Sequence, residues 1–158
     1  MALENEPIVE EMDEAEDTTK NNYLIFMIDN EEYGVEVTYI KEIMQMIPIT
    51  QVPQTPSYLK GIVNLRGDII PIIDVRDRFR KAPKEYDTMT CIVVIVYKEY
   101  ILGMIVDSVL ETLIIEEHDI LPPPNVKLNY YNQFIRNIGR NEKRFKLLMD
   151  LERFLLDD

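Results

Sequence analysis

Lys60-Gly61-Ile62-Val63-Asn64-Leu65-Arg66-Gly67-Asp68-Ile69-Ile70-Pro71-Ile72-Ile73-Asp74 is the stretch that decides the fold. Two apolar runs, Ile62–Leu65 and Ile69–Ile73, flank a short polar break. Glycine takes positive φ without steric cost, so Gly67-Asp68 predicts a tight turn with Arg66 at a strand end. Asp74 closes the second run and reads as a helix N-cap. A relative of this stretch lies further on. Thirteen residues separate Gly61 from Asp74, and thirteen separate Asn137 from Asp150. The flanks agree: Ile72-Ile73-Asp74-Val75 against Leu148-Met149-Asp150-Leu151. Upstream, Ile25-Phe26-Met27 followed by Gly34-Val35 aligns with Val94-Ile95-Val96 followed by Gly103-Met104. The offset grows by seven residues between these blocks, and the extra length falls in Glu116–Lys127, which holds Pro122-Pro123-Pro124. The chain therefore reads as two similar β units, near 23–79 and 91–155. Chance similarity among Ile/Val-rich strands would not coordinate the Gly and Asp positions.

The remaining runs support a mostly β chain. Tyr23–Ile28, Cys91–Tyr97, Ile101–Val106 and Phe145–Met149 are short, β-branched or aromatic, and bounded by polar turns. Asp29-Asn30-Glu31-Glu32 predicts one hairpin turn and Lys98-Glu99 another. Helical signals are few and short: a turn at Ser57–Lys60, and starts after Asp74 and Asp150. Units of ~60 residues would each bury only ~60% of their unfolded surface, so they should pack on one another. The expectation is two five-stranded β-barrel lobes sharing a hydrophobic interface; one larger barrel is the alternative.

Composition narrows the function. The chain has 158 residues and a formal charge of −12, with 46% hydrophobic and 29% charged residues. Eight acids and one base, Lys20, fall within residues 1–20, a segment without aromatics that is expected to be a disordered tail. So acidic a chain repels a phosphate backbone, which counts against nucleic acid. One Cys and one His exclude a disulfide framework and a Cys/His structural zinc site. No basic, apolar leader opens the sequence, and no apolar run approaches the ~20 residues of a membrane helix, so a cytoplasmic protein is expected.

Few constellations carry chemistry. No glycine-rich phosphate loop is present. Glu116-Glu117-His118-Asp119 sets the single His among carboxylates, but consecutive side chains diverge, so it reads as a solvated turn. Ser108 and Cys91 have no neighbouring base, and Cys91 reads as core. Asp74-Val75-Arg76-Asp77-Arg78-Phe79-Arg80-Lys81 reads as a solvated helical turn in which Asp74 and Arg78 can pair. Arg66 stands out because the matching position of the second unit is Glu142, so the Arg is not part of the shared scaffold.

Several of these stretches together resemble one family, the bacterial chemotaxis coupling proteins (CheW). Tyr33-Gly34-Val35-Glu36-Val37, Glu42-Ile43, Thr55-Pro56, Gly61-Ile62-Val63-Asn64-Leu65-Arg66-Gly67, Ile70-Pro71-Ile72-Ile73-Asp74-Val75-Arg76, Gly103-Met104-Ile105-Val106-Asp107-Ser108-Val109 and Leu121-Pro122-Pro123-Pro124 follow its order and spacing across roughly 22–156. The resemblance implies two interleaved SH3-like barrels within a domain at 21–158: lobe one mainly 23–85, lobe two mainly 88–145, and a C-terminal segment packed between them. It implies no catalysis and no cofactor. It implies an adaptor that links the cytoplasmic tips of methyl-accepting chemoreceptors to the regulatory domain of the chemotaxis histidine kinase, recruited to membrane-associated arrays without inserting into the membrane. By the same resemblance Val37, Ile40 and Glu42 face the kinase. Arg66 pairs with Glu42 and, with Gly103 in a groove near the lobe junction, serves receptor binding.

The chain departs from the family pattern at four places. Met44-Gln45 follow Glu42-Ile43 where the family often has Arg-Gly. Asn137 stands at a usual glycine, a position that asparagine's tolerance of left-handed backbone can serve. Lys146 replaces an aliphatic, as on an exposed edge. The acidic tail lies outside the match. Two other readings compete: a coupling module of a larger fusion protein, and a small β-barrel ligand-binding protein.

Overall fold

Strict alternation of side chains along each hairpin sorts the apolar residues between three cores. A computed structural model describes residues 20–123, 133–142 and 144–156; the acidic segment up to residue 19, together with Pro124 and Lys127, lies outside them. The strands are β1 (Asn22–Ile28), β2 (Glu31–Glu36), β3 (Ile40–Gln45), β4 (Leu59–Leu65), β5 (Asp68–Asp74), β6 (Cys91–Tyr97), β7 (Tyr100–Val106), β8 (Ser108–Ile114), β9 (Ile120–Leu121), β10 (Ile135–Asn141) and β11 (Arg144–Met149). Among the described residues the helices are short, as expected: Val75–Arg78 and Leu151–Leu156, with 3-10 turns at Val37–Tyr39 and Glu117–Asp119. Asp74 caps the first by accepting from the Arg76 N–H at 3.0 Å, and Asp150 accepts from the Arg153 N–H at 3.1 Å. Ser57–Lys60 forms no helix; a turn there leads straight into β4.

The strands form two sheets, ordered β3-β6-β7-β5-β4 and β8-β1-β2-β11-β10-β9. The repeat is real and the two units exchange hairpins. Hairpin β6–β7 joins β4–β5 through a parallel pairing of Ile72 with Gly103, and hairpin β1–β2 joins β10–β11 through the matching pairing of Leu148 with Gly34. The register shift between Leu59 and Gly61 recurs between Ile135 and Asn137. The chain leaving β3 crosses to the opposite edge of its sheet, where Thr50 bridges Ile62. The chain leaving β8 does the same through β9, where Leu121 pairs with Ile138. Each sheet thereby curls back on itself, giving two interleaved lobes.

The exchange moves the lobe boundaries. The expected division near residues 85–88 falls inside the five-stranded lobe, which runs continuously from β3 to β7. The six-stranded lobe takes β1–β2 from one end of the chain and β8–β11 from the other. Strand patterns report which faces are buried, not which strand lies alongside, so the exchange was hidden in the sequence.

Ile92 and Val94 face the interior of the five-stranded lobe with Val63, Ile70, Ile72 and Ile105. Tyr23 and Ile25 face that of the other lobe with Ile115 and Leu148. The alternate residues, among them Phe26, Tyr33, Val93, Ile95 and Met104, form the largest core, in which both sheets take part; within it Phe79 stacks on Phe134, and Phe154 meets both rings edge-on. Asn137 keeps an ordinary negative φ, so it needs none of the left-handed tolerance expected of it.

Three charged side chains are buried against expectation. Arg78 does not pair with Asp74; it is 3% exposed, with its guanidinium 4.5 Å from the Tyr58 ring centre and 4.4 Å from that of Phe134. Arg76 reaches Asp29 in the β1–β2 turn at 2.9 Å and lies 3.6 Å from Asp107. Lys146 is not on an edge; β11 lies between β2 and β10, and Lys146 is 4% exposed beside Glu32 at 3.4 Å. The Arg76–Asp29 clamp has a counterpart of opposite polarity in Lys98–Glu152 at 2.8 Å. In both, a hairpin turn of one lobe meets the helix that follows the other lobe's last repeat strand.

Candidate functional site

β3 is an edge strand whose side chains alternate between half-buried and exposed. Ile40, Glu42 and Met44 turn inward; Lys41, Ile43 and Gln45 turn out. Across the seam where the five-stranded sheet curls closed lies the β4–β5 turn. Leu65 and Asp68 form its last ladder pair, so the turn consists of Arg66 and Gly67, and Arg66 is its first residue rather than a strand end. Both have positive φ, 54° and 92°, the signature of a two-residue type I′ hairpin turn. The Asn64 Oδ1 accepts the Gly67 N–H at 2.9 Å.

From that turn Arg66 reaches back across the seam to Glu42. The contact is bidentate: Nη1 donates to Oε1 at 3.3 Å and Nη2 to Oε2 at 3.1 Å. Glu42 is half-buried and Arg66 is 70% exposed. Such a pair adds little to stability in water; its value is a fixed, directional display of charge. Ile43 beside Glu42 and Ile69 on β5 are exposed large apolar residues, at 45% and 56%.

The other residues singled out in the sequence fall in different surroundings. Val37 and Ile40 are partly buried and pack against the shared core. Gly103 is buried in the middle of β7. A Cβ there would stand 2.7 Å from Ile72 Cδ1 and 2.7 Å from Ile92 Cγ2, so its place is taken by the lobe's packing and it offers no side of its own to a groove. The structure brings Glu42 and Arg66 together and leaves Gly103 beneath the surface. Cys91 lies half-buried on β6, and burial pushes its thiol above the usual range, as expected of a packing cysteine. His118 and its neighbours form the exposed 3-10 turn, and the described residues contain no group of three or more potential ligands that could hold a metal ion.

Sequence reasoning missed Asn64, whose signal was its place two residues before the Arg in a turn that needs positive φ. It also missed Ile43 and Ile69, which are exposed because β3 is an edge and Ile69 sits by the turn.

Comparison with known proteins is consistent with this geometry. A family model described as a CheW-like domain matches residues 22–158. The chemotaxis protein CheW of Klebsiella aerogenes is 33% identical over 141 residues, covering 89% of this chain and 85% of that protein. That of Bacillus subtilis is 31% identical, covering 86% and 87%. The crystal structure of the scaffolding protein TtCheW from Thermoanaerobacter tengcongensis superimposes with a TM-score of 0.81 at 29% identity, over 87% of this chain and 94% of that one. With the repeat, the two interleaved lobes and the Glu42–Arg66 seam in place, the chain belongs to the CheW-like family.

Proposed function

We propose that this protein is a non-catalytic adaptor that couples the cytoplasmic tips of chemoreceptors to the regulatory domain of the chemotaxis histidine kinase. The observation that carries the reading is the bidentate Glu42–Arg66 pair, held at the rim of the five-stranded lobe in a member of the CheW-like family. A paired charge beside exposed Ile43 suits a transient interface, where apolar contact supplies affinity and placed charge supplies orientation. Val37, Ile40 and Glu42 shape the kinase-facing side. Arg66 serves the receptor, and Gly103 contributes by letting β7 pack closely against β5. A helical hairpin is a suitable receptor element, since an amphipathic helix can lay its apolar face against such a rim.

The test is kinase control in reconstituted receptor arrays, with a parallel titration of the kinase regulatory domain. Arg66→Glu and Glu42→Arg are each expected to lose control, and the combined exchange to recover part of it. Full control by either single variant would refute the assigned roles.

A further inference from the structure

The Arg66-Gly67 turn poses a local problem. A type I′ turn wants Asn, Asp or Gly at its first position, because a left-handed conformation costs other residues. Gly67 meets its own demand, and a Cβ there would meet nothing within 4 Å, so its positive φ is the reason for glycine. Arg66, at φ 54°, has no such exemption. Lys98 and Glu142 hold φ of 54° and 55° in their own turns, so positive φ alone does not call for a clamp; what the Arg66 turn adds is the hydrogen bond from the Gly67 N–H to Asn64 Oδ1 at 2.9 Å.

The internal repeat supplies a control. In the second lobe Glu142 occupies the place of Arg66, also at positive φ, and Arg140 that of Asn64. An arginine guanidinium has only donors, so Arg140 cannot accept an N–H as Asn64 does; it is engaged by Asp119 at 3.1 Å. Within one chain, the side-chain clamp accompanies the turn that carries the paired arginine.

We infer that Asn64 is a positioning residue for coupling: by holding the Gly67 N–H it keeps the turn in the form that aims Arg66 at Glu42. The inference rests on the reading of Arg66 as a coupling residue. Relaxation of residue 66 toward ordinary backbone would swing its Cα–Cβ bond off the seam, and a two-pronged contact fails with a small change of aim. Asn64 is exposed, so its replacement spares every core.

The experiment compares Asn64→Ala, Asn64→Asp, Arg66→Ala and the Asn64→Ala/Arg66→Ala double variant in the full chain. It reads binding to the receptor's cytoplasmic tip, thermal stability, amide exchange at Gly67, and the hydrogen-bonded Nη–H resonances of Arg66. Asn64→Ala should speed Gly67 exchange by about tenfold or more and weaken binding by about tenfold, the scale of one lost charge-assisted contact. Its binding should match that of Arg66→Ala, with melting unchanged. Asp keeps the acceptor oxygen, so Asn64→Asp should bind like the unaltered chain. The double variant should bind no worse than Arg66→Ala. Unaltered binding by Asn64→Ala while Arg66→Ala loses it would overturn the inference, as would equal loss in Asn64→Asp. If Arg66→Ala itself binds normally, the coupling role of the pair fails, and the resonances decide the rest: their loss in Asn64→Ala upholds the positioning role, and their persistence overturns it.

Discussion

The repeat offers an internal reference for one costly arrangement, the buried Lys146–Glu32 pair. The position matching Lys146 in the five-stranded lobe is Ile70, fully buried, and the one matching Glu32 is Ile101, packed on the same core. One lobe solves this place with two isoleucines and the other with two opposite charges. The side chains of Lys146 and Glu32 are 6% and 10% exposed, so both have left most of their water. Replacing only Glu32 with Ile strands the ammonium, a change that costs about 3–5 kcal/mol. Replacing only Lys146 with Ile leaves Glu32 with Arg144 at 3.6 Å, so the cost falls to about 1–3 kcal/mol. The double variant copies the apolar lobe and is expected to equal the unaltered chain or exceed it by about 1–4 kcal/mol. Urea melts followed by circular dichroism give the four corners of the cycle, and thermal melts should show a drop of roughly 8 °C or more for Glu32→Ile. If the double variant is as unstable as the two single losses added together, the residues are uncoupled and the buried-pair reading is wrong.

Other consequences are open to direct measurement. Gly103→Val should lower stability by about 1–3 kcal/mol through collision with Ile72 and Ile92, and partner binding should fall only in step with the folded fraction; lost binding at full stability would make Gly103 a contact after all. A single backbone cut between Ala82 and Met89, an exposed stretch, should leave two fragments that co-elute natively and part in urea, because both sheets take strands from both sides of the cut; fragments that separate without denaturant would contradict the strand order. Burial raises the Cys91 pKa, so the folded chain keeps that proton to higher pH than the unfolded chain. The associated stability is present below the ordinary thiol range and is lost as pH rises through the folded value, a loss that should vanish in Cys91→Ala; an unchanged alkaline slope in that variant would exclude the thiol as its source.

Much of this architecture was legible before any coordinates. Tyr23–Ile28, Cys91–Tyr97 and Phe145–Met149 declared themselves as strands because β-branched and aromatic residues crowd runs too short for helices. The repeat was legible because Gly34 and Gly103, and Asp74 and Asp150, mark equivalent close approaches and caps. The edge strands β3 and β8 were harder, since a strand with one open side mixes polar residues into its pattern. Arg76 and Arg78 looked solvated because their partners Asp29 and Phe134 lie far away in sequence. Glu42 and Arg66 came together through family resemblance alone: no spacing rule joins an edge strand to a turn across the seam of a curled sheet.

The discontinuous lobe sets a schedule for synthesis. The five-stranded lobe is complete in sequence once β7 has emerged, whereas hairpin β1–β2 must wait for β8 and β11. At translation speeds of about 5–20 residues per second that wait is on the order of ten seconds. Through it a two-stranded ribbon carrying Phe26 and Tyr33, both fully buried in the finished protein, has no sheet to join. The first strands made are among the last to find their places, and the nascent chain must shield them meanwhile, against the newly formed lobe or against a chaperone.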